Sequence, residues 1–199
     1  MRRRQSIVWR GLDAWRAEYC HLSLYADRLL ARGIQIGVDP LPYRLEYALD
    51  TAIGWDTARL TVDASGEGWA RRLDLIRDTQ SRWHVSADGR GSGDLPEPGG
   101  DPAEFEEARD CDLGFCPLTN TMPILREGVR DGNGPVDLVM AWVSVPDLRV
   151  IRSEQRYEPI DRHRVRYVGK HRDFVGELEL DDDGLVVRYP DLAERVGAR

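Results

Sequence analysis

From Tyr43 to Asp50 the chain alternates, with Tyr43, Leu45, Tyr47 and Leu49 separated by Arg44, Glu46 and Ala48. A period of two sends successive side chains to opposite faces of an extended backbone, so this segment predicts a strand with one face buried. Phe174, Leu178 and Leu180 alternate in the same way with Asp173, Glu177 and Glu179, and Asp182-Asp183-Gly184 turns the chain into Leu185-Val186-Val187-Arg188-Tyr189. That pattern predicts a hairpin. Runs at 58–63, 69–77, 148–157 and 164–169 place β-branched or aromatic residues at alternate sites between turn residues. The fold class read from these patterns is mainly β and antiparallel.

Three segments do not fit a single alternating face. Val136 to Val145 is apolar on both faces apart from Asp137 and Ser144, which predicts a central strand covered on both sides with Trp142 in the core. Between 12 and 30, Leu12, Trp15, Tyr19, Leu22, Ala26 and Leu29 recur at helical spacing while Cys20, Leu22 and Leu24 alternate. Periodicity alone slightly favours a helix there, and the surrounding β-rich units shift the reading to strands. Residues 88–102 run Asp-Gly-Arg-Gly-Ser-Gly-Asp-Leu-Pro-Glu-Pro-Gly-Gly-Asp-Pro, which predicts a flexible surface loop, read as a tolerated insertion ahead of a lid.

Composition narrows the function classes. The 199 residues suit one domain, 1–199, and 41% hydrophobic content is enough to exclude wholesale disorder. A net charge of −7 opposes phosphodiester backbones and anionic bilayers, so nucleic acid is not an expected partner. Lys170 is the lone lysine among 28 basic residues, a bias that GC-rich bacterial coding produces. Arg2-Arg3-Arg4 has no apolar stretch after it to make an export signal, and the longest apolar run, Leu138 to Val143, is far too short to span a bilayer. The expectation is a soluble cytoplasmic protein without stable membrane insertion, of open oligomeric state. Cys20, Cys111 and Cys116 are expected as reduced thiols.

Candidate chemistry is sparse. Cys111 and Cys116 lack two further ligands at matching spacing, and His21, His84, His163 and His171 are scattered, so neither a metal nor another cofactor is expected. No Gly-x-Ser-x-Gly elbow occurs. An enzyme using Asp112 as base or Cys116 as nucleophile stays open as an alternative to binding, as does a protein interaction module. The densest cluster is Pro117-Leu118-Thr119-Asn120-Thr121-Met122-Pro123-Ile124, where two prolines bracket three small hydrogen-bonding side chains. Thr119, Asn120 and Thr121 offer neutral donors and acceptors suited to polyols, or cap free backbone amides. Trp55, between Gly54 and Asp56 at a strand entrance, is the tryptophan best placed for a site.

Cys111-x-Asp112 and Pro117-x-Thr119-Asn120-Thr121-x-Pro123-Ile124, with Trp55-x-Thr57, Gln155-x-Tyr157 and Asp183-Gly184-Leu185-Val186 leading to Tyr189-Pro190-x-Leu192 and Arg195, carry a resemblance. The chain resembles the glycolipid-binding family of bacterial proteins, long catalogued as a domain of unknown function, over nearly its whole length. Leu125, Glu127 and Met122 depart from the family pattern and leave Arg126 as the arginine of that segment. The resemblance implies a β-roll or incomplete barrel with few short helices, sheltering acyl chains in a concave apolar face. It implies non-enzymatic binding of a lipid or glycolipid, with Trp55, Asp112, Thr119, Asn120, Arg126, Gln155 and Tyr157 at the polar mouth of the cleft.

Overall fold

The alternation at 43–50 belongs to one of fourteen strands hydrogen-bonded into a single open sheet. The computed structural model describes residues 2–91, 94–170 and 173–197; His171 and the Ser92-Gly93 part of the expected loop lie outside them. The first seven strands are β1 (Arg3–Gly11), β2 (Arg16–Leu24), β3 (Leu29–Gly37), β4 (Tyr43–Thr51), β5 (Thr57–Gly66), β6 (Trp69–Arg77) and β7 (Trp83–Arg90). The other seven are β8 (Asp110–Leu113), β9 (Val136–Val143), β10 (Val150–Asp161), β11 (Arg164–Gly169), β12 (Phe174–Leu180), β13 (Val186–Tyr189) and β14 (Ala193–Arg195). Their spatial order runs from β7 back to β1, then from β14 back to β8, so β7 and β8 are the two edges. Each meander is an antiparallel series of neighbours, which short turns allow. The β8–β9 pair departs from the expected antiparallel pattern: it is parallel, because the chain crosses between them through 114–135.

Residues 12–30 form β2, a turn and the start of β3, with Arg16, Glu18, Cys20 and Leu22 buried on one face. β3 carries glycine at two inward positions. A Cβ on Gly33 would stand 2.3 Å from the Tyr47 ring, and one on Gly37 would stand 2.6 Å from Tyr43. The two tyrosines of the neighbouring strand fill the space that the glycines leave, which lets the sheet curve without a void.

The concave side is filled by protein. Leu45, Leu49, Leu60, Leu73 and Leu75 from the strands join Phe105, Leu118 and Met122 from the 102–126 segment in one fully buried cluster. That segment includes a 3-10 turn at Pro117–Asn120 that runs into the helix α1 (Thr121–Arg126). A second cluster holds Ile124 and Val129 against Tyr157, Tyr167 and Leu178. The concave face that the resemblance implied for acyl chains is thus packed with the chain's own residues.

Two expectations change. The 88–102 loop is shorter than its composition suggests, since Asp88, Gly89 and Arg90 continue β7 opposite Arg72, Arg71 and Ala70. Buried Arg71 donates to the carbonyls of Ala70, Arg90 and Gly91 at 3.0–3.1 Å and lies near those of Leu95 and Pro96, while Gly99 pairs with Arg149. One guanidinium satisfying several carbonyls anchors Arg90 and Gly91 on one side of the stretch and lies against Leu95 and Pro96 on the other. β9 is not central either: it lies next to the edge, and Trp142 is only half-buried.

Candidate functional site

Five of the seven expected site residues meet. β8 presents Asp112, the 3-10 turn presents Thr119 and Asn120, and alternate positions of β10 put Gln155 and Tyr157 on one face. Gln155 Nε2 donates to Asp112 Oδ2 at 2.6 Å, and the Thr119 hydroxyl donates to Asp112 Oδ1 at 2.8 Å. The Tyr157 hydroxyl lies 2.9 Å from Gln155 Oε1 and 3.0 Å from Asn120 Oδ1. Asn120 Nδ2 returns to the Pro117 carbonyl at 3.3 Å, so the amide is spent on its own turn rather than on capping α1. Thr119, Asn120, Gln155 and Tyr157 are all buried, and each bonds another member of the group. Burial pushes the Tyr157 hydroxyl well above its ordinary range, so it remains a donor. Next to this network a crevice of about 10 Å³ runs between Asp112, Phe115, Asn120, Trp142 and Tyr189, room for about one water.

The other two residues stand apart. Trp55 is buried in the main core, its backbone amide held by the Asp27 and Ala52 carbonyls. Arg126 donates to buried Asp110 Oδ1 at 2.6 Å, with Asp56 Oδ1 3.6 Å away and Glu127 Oε1 at 2.6 Å from its Nε. Burial opposes the Arg126 charge, but the Asp110 and Glu127 carboxylates together outweigh it and raise the pKa. Neither residue borders the Asp112 crevice. Thr121 Oγ1 is buried and makes no capping bond.

Sequence reasoning missed a polar group inside the roll. Glu18 faces inward on β2 and accepts from the Tyr47 hydroxyl at 2.6 Å, Gln35 Nε2 at 3.0 Å and Cys116 Sγ at 3.2 Å. Burial pushes its carboxyl up to about 7, against the opposing pull of these donors and of Arg16. The same burial, with Glu18 beside it, holds the Cys116 thiol well above its ordinary value. A nucleophilic thiol needs the reverse shift, which weighs against the Cys116 alternative. Extending the Cys20-Leu22-Leu24 alternation back by two residues would have found Glu18.

The outer face of β2 to β5 holds a groove of about 380 Å³, within the size range of small-ligand sites. In one cross-strand row His21, Arg32, Ala48 and Thr61 are successive partners, and in the next Tyr19, Ile34, Glu46 and Asp63 are. Ala48 and Thr61 are short between longer neighbours, and the surface dips there. Ser6 Oγ lies 3.0 Å from the Tyr19 hydroxyl and 3.2 Å from His21 Nδ1, and Arg32 binds Asp50 at 2.7 Å. The lining therefore offers an exposed aromatic ring, an imidazole, a guanidinium and two carboxylates beside apolar surface. A larger cleft of about 590 Å³ among Pro40, Leu41, Leu95, Pro96 and Pro146 offers only carboxylates and no aromatic ring. Among the described residues no His, Cys, Asp and Glu cluster has the makings of a metal site, and no helix is long and apolar enough to cross a membrane.

Comparison with known proteins adds one family and one structure. The family model described as "Putative glycolipid-binding" matches residues 6–195. The chain is similar to a crystal structure of a DUF1089 family protein from Pseudomonas aeruginosa, with a TM-score of 0.71 and 26% identity over 90% of this chain and 92% of that one. No curated protein matches the chain.

Proposed function

The chain belongs to the Putative glycolipid-binding family, and on that premise we propose that it binds a glycolipid without chemical conversion, seating the sugar in the outer groove of β2–β5. The observation that carries this reading is the groove's mixed lining. The Tyr19 ring offers a face for the apolar side of a sugar, while His21, Arg32, Glu46 and Asp63 offer donors and acceptors for its hydroxyls. The expected site around Asp112 supports this assignment by contrast. Its polar groups bind one another, and its crevice has no room for a sugar ring. In this reading Asp112, Thr119, Asn120, Gln155 and Tyr157 hold the 117–126 segment against β10 rather than touching ligand.

The test is a groove-filling variant. Ala48→Arg places a long side chain in the dip between Arg32 and Thr61, on an outer face where substitutions cost within about 0.5 kcal/mol of stability. Calorimetric titration with dodecyl glucoside should show binding to the native protein and a loss of at least about tenfold in the variant, or about 1.4 kcal/mol. Equal affinity for both would remove the groove as the site.

A further inference from the structure

Seven of the eleven large apolar residues exposed among the described residues, Val8, Leu12, Trp15, Tyr19, Ile34, Ile36 and Val38, lie on β1 to β3 or the turns that extend them, with Trp15 62% exposed, while Ile53, Ile160, Val175 and Val196 lie elsewhere. Register shows that the seven form one band. Val8 pairs with Tyr19 and Tyr19 with Ile34; Ala17 pairs with Ile36; and the Arg16–Gly37 pair sets Trp15 beside Val38 at the strand ends. Tyr19 and Ile34 also line the groove. The band is therefore the groove's apolar end continued along the sheet. Monomeric proteins rarely leave so contiguous a strip uncovered.

We propose that this band holds the alkyl portion of the ligand, laid along the outer face from Tyr19 and Ile34 through Ala17 and Ile36 to Trp15 and Val38. The inference rests on the groove as sugar site and adds the ligand's orientation and class: an amphiphile with one sugar at the polar end and a single chain on the strand ends. The order of residues favours this occupant. Polar groups able to bind hydroxyls gather at one end, and an uninterrupted apolar path leads away from it. Four residues of strand from Tyr19 to Trp15 span about 13 Å, the length of an extended chain of about ten carbons. Full burial of each methylene would raise affinity about fourfold, and a chain lying on an open face buries roughly half of that, so about twofold per methylene is expected.

Alkyl glucosides from butyl to dodecyl, titrated below their micelle concentrations, test the orientation. The expected result is affinity rising about twofold per methylene and levelling near ten carbons, with a blue shift of emission that Trp15→Phe removes. Ile36→Lys, at an exposed site, should flatten the chain-length dependence, lowering dodecyl glucoside affinity much more than butyl glucoside affinity. If Ile36→Lys leaves that dependence intact while Ala48→Arg still abolishes binding, the band assignment is wrong and the groove stands. Should Ala48→Arg leave every glucoside's affinity unchanged, the groove reading fails, and this inference fails with it. A ligand-free dimer in sedimentation that Ile36→Lys dissociates would show that a second copy covers the band, which also overturns the proposal.

Discussion

The polar network beneath α1 and the groove outside β2–β5 contain similar side chains, yet opposite accounts follow from where their hydrogen bonds go. In the network, Asp112 takes one donor on each oxygen, Tyr157 bridges two amides, and Asn120 closes on its own turn. Buried polar groups satisfied in this way stabilise a particular packing and have little capacity left for a ligand. In the groove, the exposed Tyr19 and His21 side chains both bond Ser6, Arg32 bonds Asp50 and the Ala31 carbonyl, and Glu46 and Asp63 pair with exposed Arg44 and Arg72, all at the solvent surface. Those groups can exchange water for ligand hydroxyls at small cost. A polar cluster near a Pro-bracketed turn is thus a weaker sign of binding than a polar cluster beside unfilled volume.

Removing a network member sharpens the contrast most. Asp112→Ala leaves the buried Gln155 amide without its acceptor and the Thr119 hydroxyl with only the Cys116 carbonyl, and should cost about 3 kcal/mol. Urea unfolding checks this, and the surviving folded fraction should bind dodecyl glucoside as the native protein does. A variant that folds as stably as the native protein but has lost binding would reverse the roles of the two regions.

Glu18 gives the next effect, through pH. Its carboxyl titrates near 4.5 when free and about 7 when buried in the fold. Between those values the folded state keeps a proton that the unfolded state has released, so this contribution is intact below about 4.5 and is lost as pH rises to about 7. At about 1.4 kcal/mol per pH unit the loss is about 3 kcal/mol at most, and somewhat less in practice because other groups titrate. Glu18→Gln has no proton to lose and should flatten that fall, as denaturant titrations at acidic and mildly alkaline pH would show. An unchanged pH profile in the variant would mean that Glu18 is already charged in the fold.

Strands with a single buried face were legible. Tyr43 to Asp50 and the 174–189 hairpin fold as their alternation predicts. Residues 12–30 were harder for a physical reason. β2 is apolar inward at Cys20 and Leu22 and outward at Tyr19, with Trp15 exposed just before it, so the two faces together mimic helical spacing. The outward apolar residues that blurred the reading are the ones assigned above to ligand, a local conflict of the kind that functional surfaces produce. The Thr119-Asn120 cluster was legible from its flanking prolines, and the family resemblance alone joined Asp112, Gln155 and Tyr157 to it; burial, which separates a structural network from a site, was legible from neither. Trp55 and Arg126 were drawn toward that group by sequence alone, whereas their burial in the core and beside Asp110 depends on contacts far along the chain. The groove has no motif at all. It arises from short side chains at Ala48 and Thr61 that meet only when β4 and β5 pair.

Hydrogen exchange with and without dodecyl glucoside tests the central claim most directly, because it locates the ligand without any substitution. The account predicts added protection confined to the amides of β2 to β5 and the turn before β2, with 110–126 and 153–157 unchanged. Protection concentrated at 112–120 and 155–157, with β2 to β5 unaffected, would contradict it and return the site to the Asp112 network.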